Sequence, residues 1–173
     1  MAAGDSQQQV RFAILTVSDT RTAHTDRSGD ALTQRILAAG HLLAHRALVR
    51  DDPDSIEVAL REWIASADVD VILSTGGTGI TGRDVTPEAM RRVLDKDLPG
   101  FGELFRAQSY GKIGPSAMFS RALGGIAGGK YLFALPGSPG AVADAWDGIL
   151  AGQFDRSSKA CTLLELMPRL TER

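Results

Sequence analysis

Residues 69–88 read VDVILSTGGTGITGRDVTPE, and this stretch is the strongest indication of the fold. The largely apolar run at residues 69–74 predicts a short strand that leads directly into a glycine-rich loop. The three glycines within residues 76–79 indicate a tight loop directly after that strand. Thr86 has the residue type of a helix cap, and Pro87 suits a first helical position. The stretch therefore predicts a strand, a glycine loop and a helix.

The same alternation of strand and helix extends on both sides of this stretch. Ser28 predicts the cap of a helix that ends at Gly40, and Asp52 and Pro53 predict the start of a second helix. Further helical patterns lie at residues 101–110 and 142–150. The other predicted strands are residues 12–17, 42–49 and 131–135. Strands that alternate with helices predict an α/β fold, in which helices cover both faces of a parallel sheet.

The composition of the 173-residue chain excludes several classes of protein. The 19 basic and 21 acidic residues give a net charge of −2, which argues against a nucleic-acid partner. Cys161 is the only cysteine, so an internal disulfide is impossible. No apolar stretch approaches the ~18 residues that span a bilayer. The first residues also lack a secretion signal, so we expect a cytoplasmic protein without a membrane partner.

The chain length fits a single domain, and no polar linker divides it. We expect this domain at residues 10–151. Residues 1–9 are predicted to form a disordered tail. Residues 152–173 are predicted to form a C-terminal tail that packs on the domain or on a neighbouring subunit.

Polar residues follow all four predicted strands at their carboxyl ends, where open parallel sheets bind their ligands. The first strand leads into Ser18 and Asp19, and the second leads into Asp51. The third strand leads into the glycine loop, and the fourth leads into PGSPG at residues 136–140. The four strand ends therefore predict one shared site for a polar ligand.

The glycine loop indicates that this ligand carries a phosphate. Glycines let main-chain amides approach an anion closely, and Thr75 and Thr78 add hydroxyl groups. The loop is not a P-loop, because Arg83 follows Gly82 where that motif has a lysine. From Gly77 onward the loop matches the dinucleotide fingerprint G-x-G-x-x-G. That fingerprint requires a strand ending in an acid ~20 residues later, and none is predicted, so we interpret the match as accidental.

Two carboxylates, Asp51 and Asp84, lie beside the expected phosphate site. Asp52 is the better cap for the helix after Asp51, and Thr86 caps the helix after Asp84, so both acids are available for another role. Carboxylates repel a phosphate unless a cation lies between them, and Mg²⁺ binds one or two carboxylates together with substrate phosphates. We therefore predict that Asp51 and Asp84 are catalytic and bind Mg²⁺. Arg121 is a candidate for neutralising ligand phosphates.

Six segments of the chain, in order, resemble the molybdopterin-binding family of molybdenum cofactor biosynthesis, of the MoaB and MogA type. They are AILTVSDT, DDPDSI, STGGTGITGRDVTPEA, PGFGELFR, PSAMFSRA and ALPGSPGA. The resemblance runs from about Phe12 to Leu150, and residues 74–89 are its most specific part. The C-terminal segment with Cys161 is more similar to the MoaB branch.

The resemblance implies a three-layer α/β/α sandwich with a mostly parallel sheet, here at residues 10–151, that assembles as a trimer or hexamer. It implies Mg²⁺-dependent transfer of AMP from ATP to the terminal phosphate of molybdopterin, with release of pyrophosphate. A partner enzyme would then insert molybdate. Asp51 and Asp84 fall on the two aspartates that are essential in the family. The candidate ligand-binding residues are Ser18, Asp19, Thr75, Gly76, Gly77, Thr78, Gly79, Glu88, Arg121, Pro136, Gly137 and Ser138.

Arg50 departs from the family pattern, because many members have a proline before the first essential aspartate. The aspartate itself is kept, which favours a working enzyme. Two alternatives stay open at this point. One is a molybdopterin-binding carrier or assembly protein without catalysis, and the other is a nicotinamide-dependent oxidoreductase suggested by the G-x-G-x-x-G match.

Overall fold

The computed structural model describes residues 9–158 and 160–172, which fold around one six-stranded sheet. The strands are β1 Arg11–Val17, β2 Leu42–Val49, β3 Val71–Thr75, β4 Lys96–Asp97, β5 Leu123–Ala127 and β6 Lys130–Leu135. Their order in the sheet is β2-β1-β3-β6-β5-β4. β2, β1, β3 and β6 are parallel, whereas β5 runs antiparallel to β6 and β4 antiparallel to β5. The predicted mostly parallel sheet is confirmed.

Helices cover both faces of this sheet. They are α1 Arg27–Ala38, α2 Pro53–Ala65, α3 Thr86–Arg91, α4 Pro99–Ile113, α5 Pro139–Ala145, α6 Ala151–Phe154 and α7 Leu163–Leu166. A 3₁₀ turn, Gly114–Phe119, follows α4, and a π-helical turn, Trp146–Leu150, joins α5 to α6. A second 3₁₀ turn, Met167–Arg169, follows α7. Among the described residues, no helix is long and apolar enough to cross a membrane.

The core consists of two layers, one on each face of the sheet. Successive side chains of a strand point to opposite faces. Phe12 and Ile14 of β1 therefore pack with residues of α1, α4 and α5, while Ala13 and Leu15 pack with residues of α2 and α3. All four of these β1 side chains are fully buried. The result is the predicted three-layer α/β/α sandwich.

Two of the predicted helix caps are wrong. α1 begins at Arg27, because the carboxylate of Asp26 accepts the main-chain N–H of Gly29 and takes the role predicted for Ser28. Thr86 is the first residue of α3 and not its cap, and its hydroxyl donates to the carbonyl of Gly76, at 2.8 Å. That helix has no side-chain cap, and Pro87 is its second residue.

The sequence also failed to predict two strands. β5 reads LGGIA, and its two glycines remove the apolar alternation that marks a strand. A Cβ at Gly124 would lie 2.8 Å from the ring of Phe133, so the bare backbone is what lets β5 approach β6. β4 has only two residues, and Asp97 in it falls near the spacing that the dinucleotide fingerprint requires. β4 is nevertheless three places from β3 in the sheet, so it cannot serve as the second strand of that motif.

The C-terminal residues pack on their own chain. Phe154 is 1% exposed, and the hydroxyl of Tyr131 donates to the carbonyl of Leu163, at 2.8 Å. Leu164 and Met167 pack against the same core layer as Phe12. Of the predicted N-terminal tail, residues 1–8 lie outside the described residues.

Asp52 gives a prediction about stability. Its carboxylate accepts the main-chain N–H of Ser55, at 2.8 Å, and so caps α2. Asp52→Ala is expected to lower the free energy of unfolding by about 0.5–2 kcal/mol, the usual effect of losing a cap. Urea unfolding measures this loss. Glu62→Ala is the control, because it removes an exposed side chain of the same helix that makes no ion pair or hydrogen bond with the described residues, and it is expected to change the free energy of unfolding by less than about 0.5 kcal/mol. Equal effects of the two variants would contradict the cap.

Candidate active site

A polar cleft lies at the carboxyl ends of β1, β2, β3 and β6, where the sequence predicts the site. It has two adjoining parts, which share Gly77, Asp84 and Gly137. The acidic chamber, about 310 Å³, also contains Asp51 and Arg83. The loop chamber, about 420 Å³, also contains residues 78–79, 119–120, 136 and 138. A larger hollow of about 520 Å³ lies beside α4, but the cleft combines two carboxylates with the glycine loop.

The glycine loop is held open toward the cleft by its backbone conformation. Gly76 has φ +104° and Gly77 has φ +65°, values that favour glycine strongly. The N–H of Gly76 donates to the carbonyl of Leu135 and so fixes the loop to the end of β6. Among the described residues, the N–H groups of Gly77 and Thr78 donate to no protein acceptor. These two amides are available for an anion.

Asp51 is joined to the loop after β1 by a reciprocal pair of hydrogen bonds. Its Oδ2 accepts the N–H of Asp19, at 3.0 Å, and its own N–H donates to Oδ1 of Asp19, at 3.2 Å. Oδ1 of Asp51 accepts no hydrogen bond from the described residues. Burial raises the pKa of Asp51, and the negative charges of Asp19 and Asp84 raise it further, whereas the hydrogen bond from Asp19 and the charge of Arg83 lower it. The pKa is raised on balance, so the nearby positive charge does not fully offset burial and repulsion.

Asp84 lines both chambers of the cleft, and its negative charge acts on Asp51 in the acidic chamber. Its Oδ2 accepts the N–H and the hydroxyl of Thr81, at 2.8 and 2.7 Å, so it makes the local loop contact that is common for aspartate. Burial by itself would raise the pKa of Asp84, but hydrogen bonds from Thr81 and Gly79 and the charge of Arg121 lower it overall. Asp84 is thus fixed in place and stabilised as a carboxylate.

The two acids fit a magnesium ion better than an all-protein metal centre. Within the described residues, no group of three or more His, Cys, Asp or Glu side chains is arranged to hold a metal. Mg²⁺ does not require such a group, because it binds one or two carboxylates and completes its shell with waters and substrate phosphates. The shortage of positive charge at Asp51 and the free amides of the loop suit that combination.

Most of the candidate ligand-binding residues line the cleft, and four do not. Those in the lining are Ser18, Gly76, Gly77, Thr78, Gly79, Pro136, Gly137 and Ser138. Thr75 is fully buried behind the cleft, and its hydroxyl donates to the carbonyl of Pro136. Asp19 contacts Asp51 but lies outside the lining. Glu88 forms an ion pair with Arg121, and both lie behind the glycine loop.

For several residues in or beside the cleft, the sequence did not predict a role in the site. Arg21 lines the acidic chamber, and its Nη2 donates to the carbonyl of Gly137, at 2.5 Å. The hydroxyl of Ser28 donates to the same carbonyl, at 2.7 Å. Thr81 lines the acidic chamber, and Phe119 borders the loop chamber. Arg21 has a signal in the sequence, because it lies in the polar loop directly after β1, and Thr81 and Phe119 lie in segments that carry the family resemblance.

The sheet and the cleft together define an α/β protein with a polar site at the carboxyl ends of its parallel strands. Residues 13–156 match the family model described as "Probable molybdopterin binding domain". The chain belongs to this family.

The relatives of this chain are similar over most of their length. The molybdenum cofactor biosynthesis protein B of Bacillus cereus is 52% identical over 136 residues, which cover 78% of this chain and 80% of the relative. The protein of the same name from Escherichia coli (strain K12) is 43% identical over 151 residues, or 87% and 89% of the two chains. A crystal structure of a molybdenum cofactor biosynthesis protein B superimposes with a TM-score of 0.86 at 44% identity and covers 96% of this chain and 98% of that one.

Proposed function

We propose that this protein acts in molybdenum cofactor biosynthesis as a nucleotidyltransferase, which transfers AMP from ATP to the terminal phosphate of molybdopterin. The observation that carries the proposal is the pair of carboxylates, Asp51 and Asp84, which line one chamber together with a glycine loop whose amides are free. A phosphate cradle beside two acids suits a reaction between two phosphorylated substrates and a divalent cation. The names of the relatives from Bacillus cereus and Escherichia coli support the same pathway.

The proposed reaction is an in-line displacement at the α-phosphorus of ATP. An oxygen of the terminal phosphate of molybdopterin forms a new bond to this phosphorus, and the bond from the phosphorus to the bridging oxygen breaks. Pyrophosphate leaves with the bonding electrons. Phosphoryl and nucleotidyl transfers of this kind depend chiefly on positioning and on charge neutralisation.

The residues of the cleft supply both of these contributions. The N–H groups of Gly77 and Thr78 would bind phosphate oxygens, and Arg83 and Arg21 in the acidic chamber would offset their charge. Asp51 and Asp84 would hold Mg²⁺, which when bound neutralises charge on the phosphates and on the leaving pyrophosphate.

Assembly as a trimer or hexamer, and transfer of the product to a molybdate-inserting enzyme, are further parts of the proposal. Exposed apolar side chains on α4 and on the 3₁₀ turn after it support a contact surface for another subunit or for the partner enzyme. They are Leu104, Tyr110, Ile113, Met118 and Phe119, which are 49–73% exposed. Light scattering of the purified protein measures the number of subunits.

Pyrophosphate release tests the proposed reaction. Purified protein is mixed with ATP, Mg²⁺ and molybdopterin, and each component is omitted in turn. We expect pyrophosphate only when all are present, in an amount equal to the adenylylated pterin. Tight binding of molybdopterin without pyrophosphate in the complete mixture would instead identify a carrier or assembly protein.

A further inference from the structure

Arg121 directs its hydrogen-bond donors at the back of the glycine loop. Its Nε donates to the carbonyl of Gly79, at 2.6 Å, and its Nη2 donates to the carbonyl of Asp84, at 2.5 Å. Its main-chain N–H donates to the carbonyl of Thr78, at 2.8 Å. Its Nη1 forms an ion pair with Glu88. All three side-chain nitrogens are therefore engaged within the chain, so the guanidinium is poorly placed to neutralise a ligand.

The three carbonyls that Arg121 contacts belong to the segment between β3 and α3. This segment carries the free N–H of Thr78 and the carboxylate of Asp84. Its two ends are joined by Thr86, whose N–H donates to the carbonyl of Gly77 and whose hydroxyl donates to that of Gly76. A planar guanidinium presents donors in a rigid fork, which can join two carbonyls at a defined separation. Arg121 thereby connects Gly79 to Asp84 within the segment, where the bonds of Thr86 do not reach.

We propose that Arg121 is a positioning residue, whose forked side chain holds the carbonyls of Gly79 and Asp84 together and so sets the Asp84 carboxylate and the loop amides in the cleft. The effect of this positioning on catalysis rests on the proposed function. The effect on the structure of the loop does not.

Two substitutions separate the fork of Arg121 from its charge. Lysine keeps the charge but lacks the fork, and glutamine lacks both.

Hydrogen exchange of the apo protein tests the geometric effect without any substrate. In Arg121→Gln and Arg121→Lys, the amides of Thr81 and Asp84 are expected to exchange about tenfold faster or more, because hydrogen bonds from a charged donor are lost. Arg35→Gln is the matched control: Arg35 is 29% exposed, against 30% for Arg121, and it pairs with Asp147 far from the loop. It should leave these two amides unchanged. Unchanged exchange in both Arg121 variants would overturn the proposal.

The AMP-transfer assay tests what this positioning does for catalysis. Both variants are expected to lose kcat by about tenfold or more, because the catalytic group is misplaced. Full activity with normal exchange in Arg121→Lys would overturn the role of the fork.

These readouts separate the two proposals. If the wild-type protein does not transfer AMP but the loop exchanges faster in the Arg121 variants, the proposed function fails and the positioning role stands. If the wild-type protein transfers AMP and the variants match it in both exchange and kcat, the positioning role fails and the proposed function stands.

Discussion

Asp51→Asn is expected to reduce AMP transfer by on the order of 10²–10³-fold, the usual loss when one preorganised electrostatic group is removed from a site. Asparagine keeps the shape of the side chain and can still accept the N–H of Asp19. It cannot supply the negative charge that Mg²⁺ requires. The expected loss is therefore chemical and does not depend on a change in fold.

The same variant is expected to be as stable as the parent at pH 7, or more stable. The pKa of Asp51 is raised in the folded state by burial and by two neighbouring carboxylates. The folded state thus binds this proton more tightly than the unfolded state. The resulting stabilisation is present below the ordinary pKa of 3.8 and is lost as pH rises through the folded pKa. Asparagine removes the charge repulsion that remains at neutral pH.

Pyrophosphate release and thermal unfolding, measured on the same samples, check both expectations. Asp52→Asn is the matched control, since it changes the adjacent carboxylate to a residue that still caps α2. The control should keep full activity, and Mg²⁺ is expected to raise its Tm and that of the parent by the same amount. Parent-level activity in Asp51→Asn would remove Asp51 from the mechanism.

Gly76→Ala is expected to have the largest effect on stability, a loss of about 2–5 kcal/mol. A left-handed conformation costs an L-residue about 1–2 kcal/mol, and overpacking adds about 1–3 kcal/mol. Gly76 has φ +104°, and a Cβ there would lie 2.2 Å from the carbonyl oxygen of Val17. That oxygen belongs to the backbone of β1, which cannot give way as a flexible side chain could.

Urea unfolding of Gly76→Ala beside Gly82→Ala checks this expectation. Gly82 lies in the same loop, but its φ is not in the left-handed range and a Cβ there would meet nothing within 4 Å. Gly82→Ala should therefore stay within about 0.5 kcal/mol of the parent. A similarly small change in Gly76→Ala would show that the loop is not held against β1 as described.

The fold could be predicted largely from local patterns. Apolar runs marked β1, β3 and β6, which are buried along nearly their whole length. β2 was also predicted, although it lies at the edge of the sheet and none of its residues is fully buried. The sequence does not predict β5, because its pairing with β6 requires a glycine at position 124, where a side chain would clash with the ring of Phe133. That ring is close to Gly124 only in the folded chain. The cap of α1 was misassigned for a similar reason. Asp26 is held by Thr16 and by Arg46, 10 and 20 residues away, and no local pattern shows those partners.

The candidate site could be predicted in outline but not in its internal contacts. The rule that ligands bind at the carboxyl ends of parallel strands brought Asp51 and Asp84 together correctly. The sequence could not show that Arg121 donates to loop carbonyls, since its type and position suit phosphate binding equally well. The hydrogen bond from Arg21 to the carbonyl of Gly137 joins residues that are 116 positions apart, so it likewise depends on tertiary structure.

Transfer of label from ATP tests the central claim most directly. The protein is incubated with Mg²⁺, molybdopterin and ATP labelled at the α-phosphorus, and the pterin product is isolated. AMP transfer predicts that the label appears in the pterin, in an amount equal to the pyrophosphate released, and that Asp51→Asn abolishes it. Label recovered only as ATP, or as free AMP with the pterin unlabelled, would contradict the assignment of this cleft as a nucleotidyltransferase site.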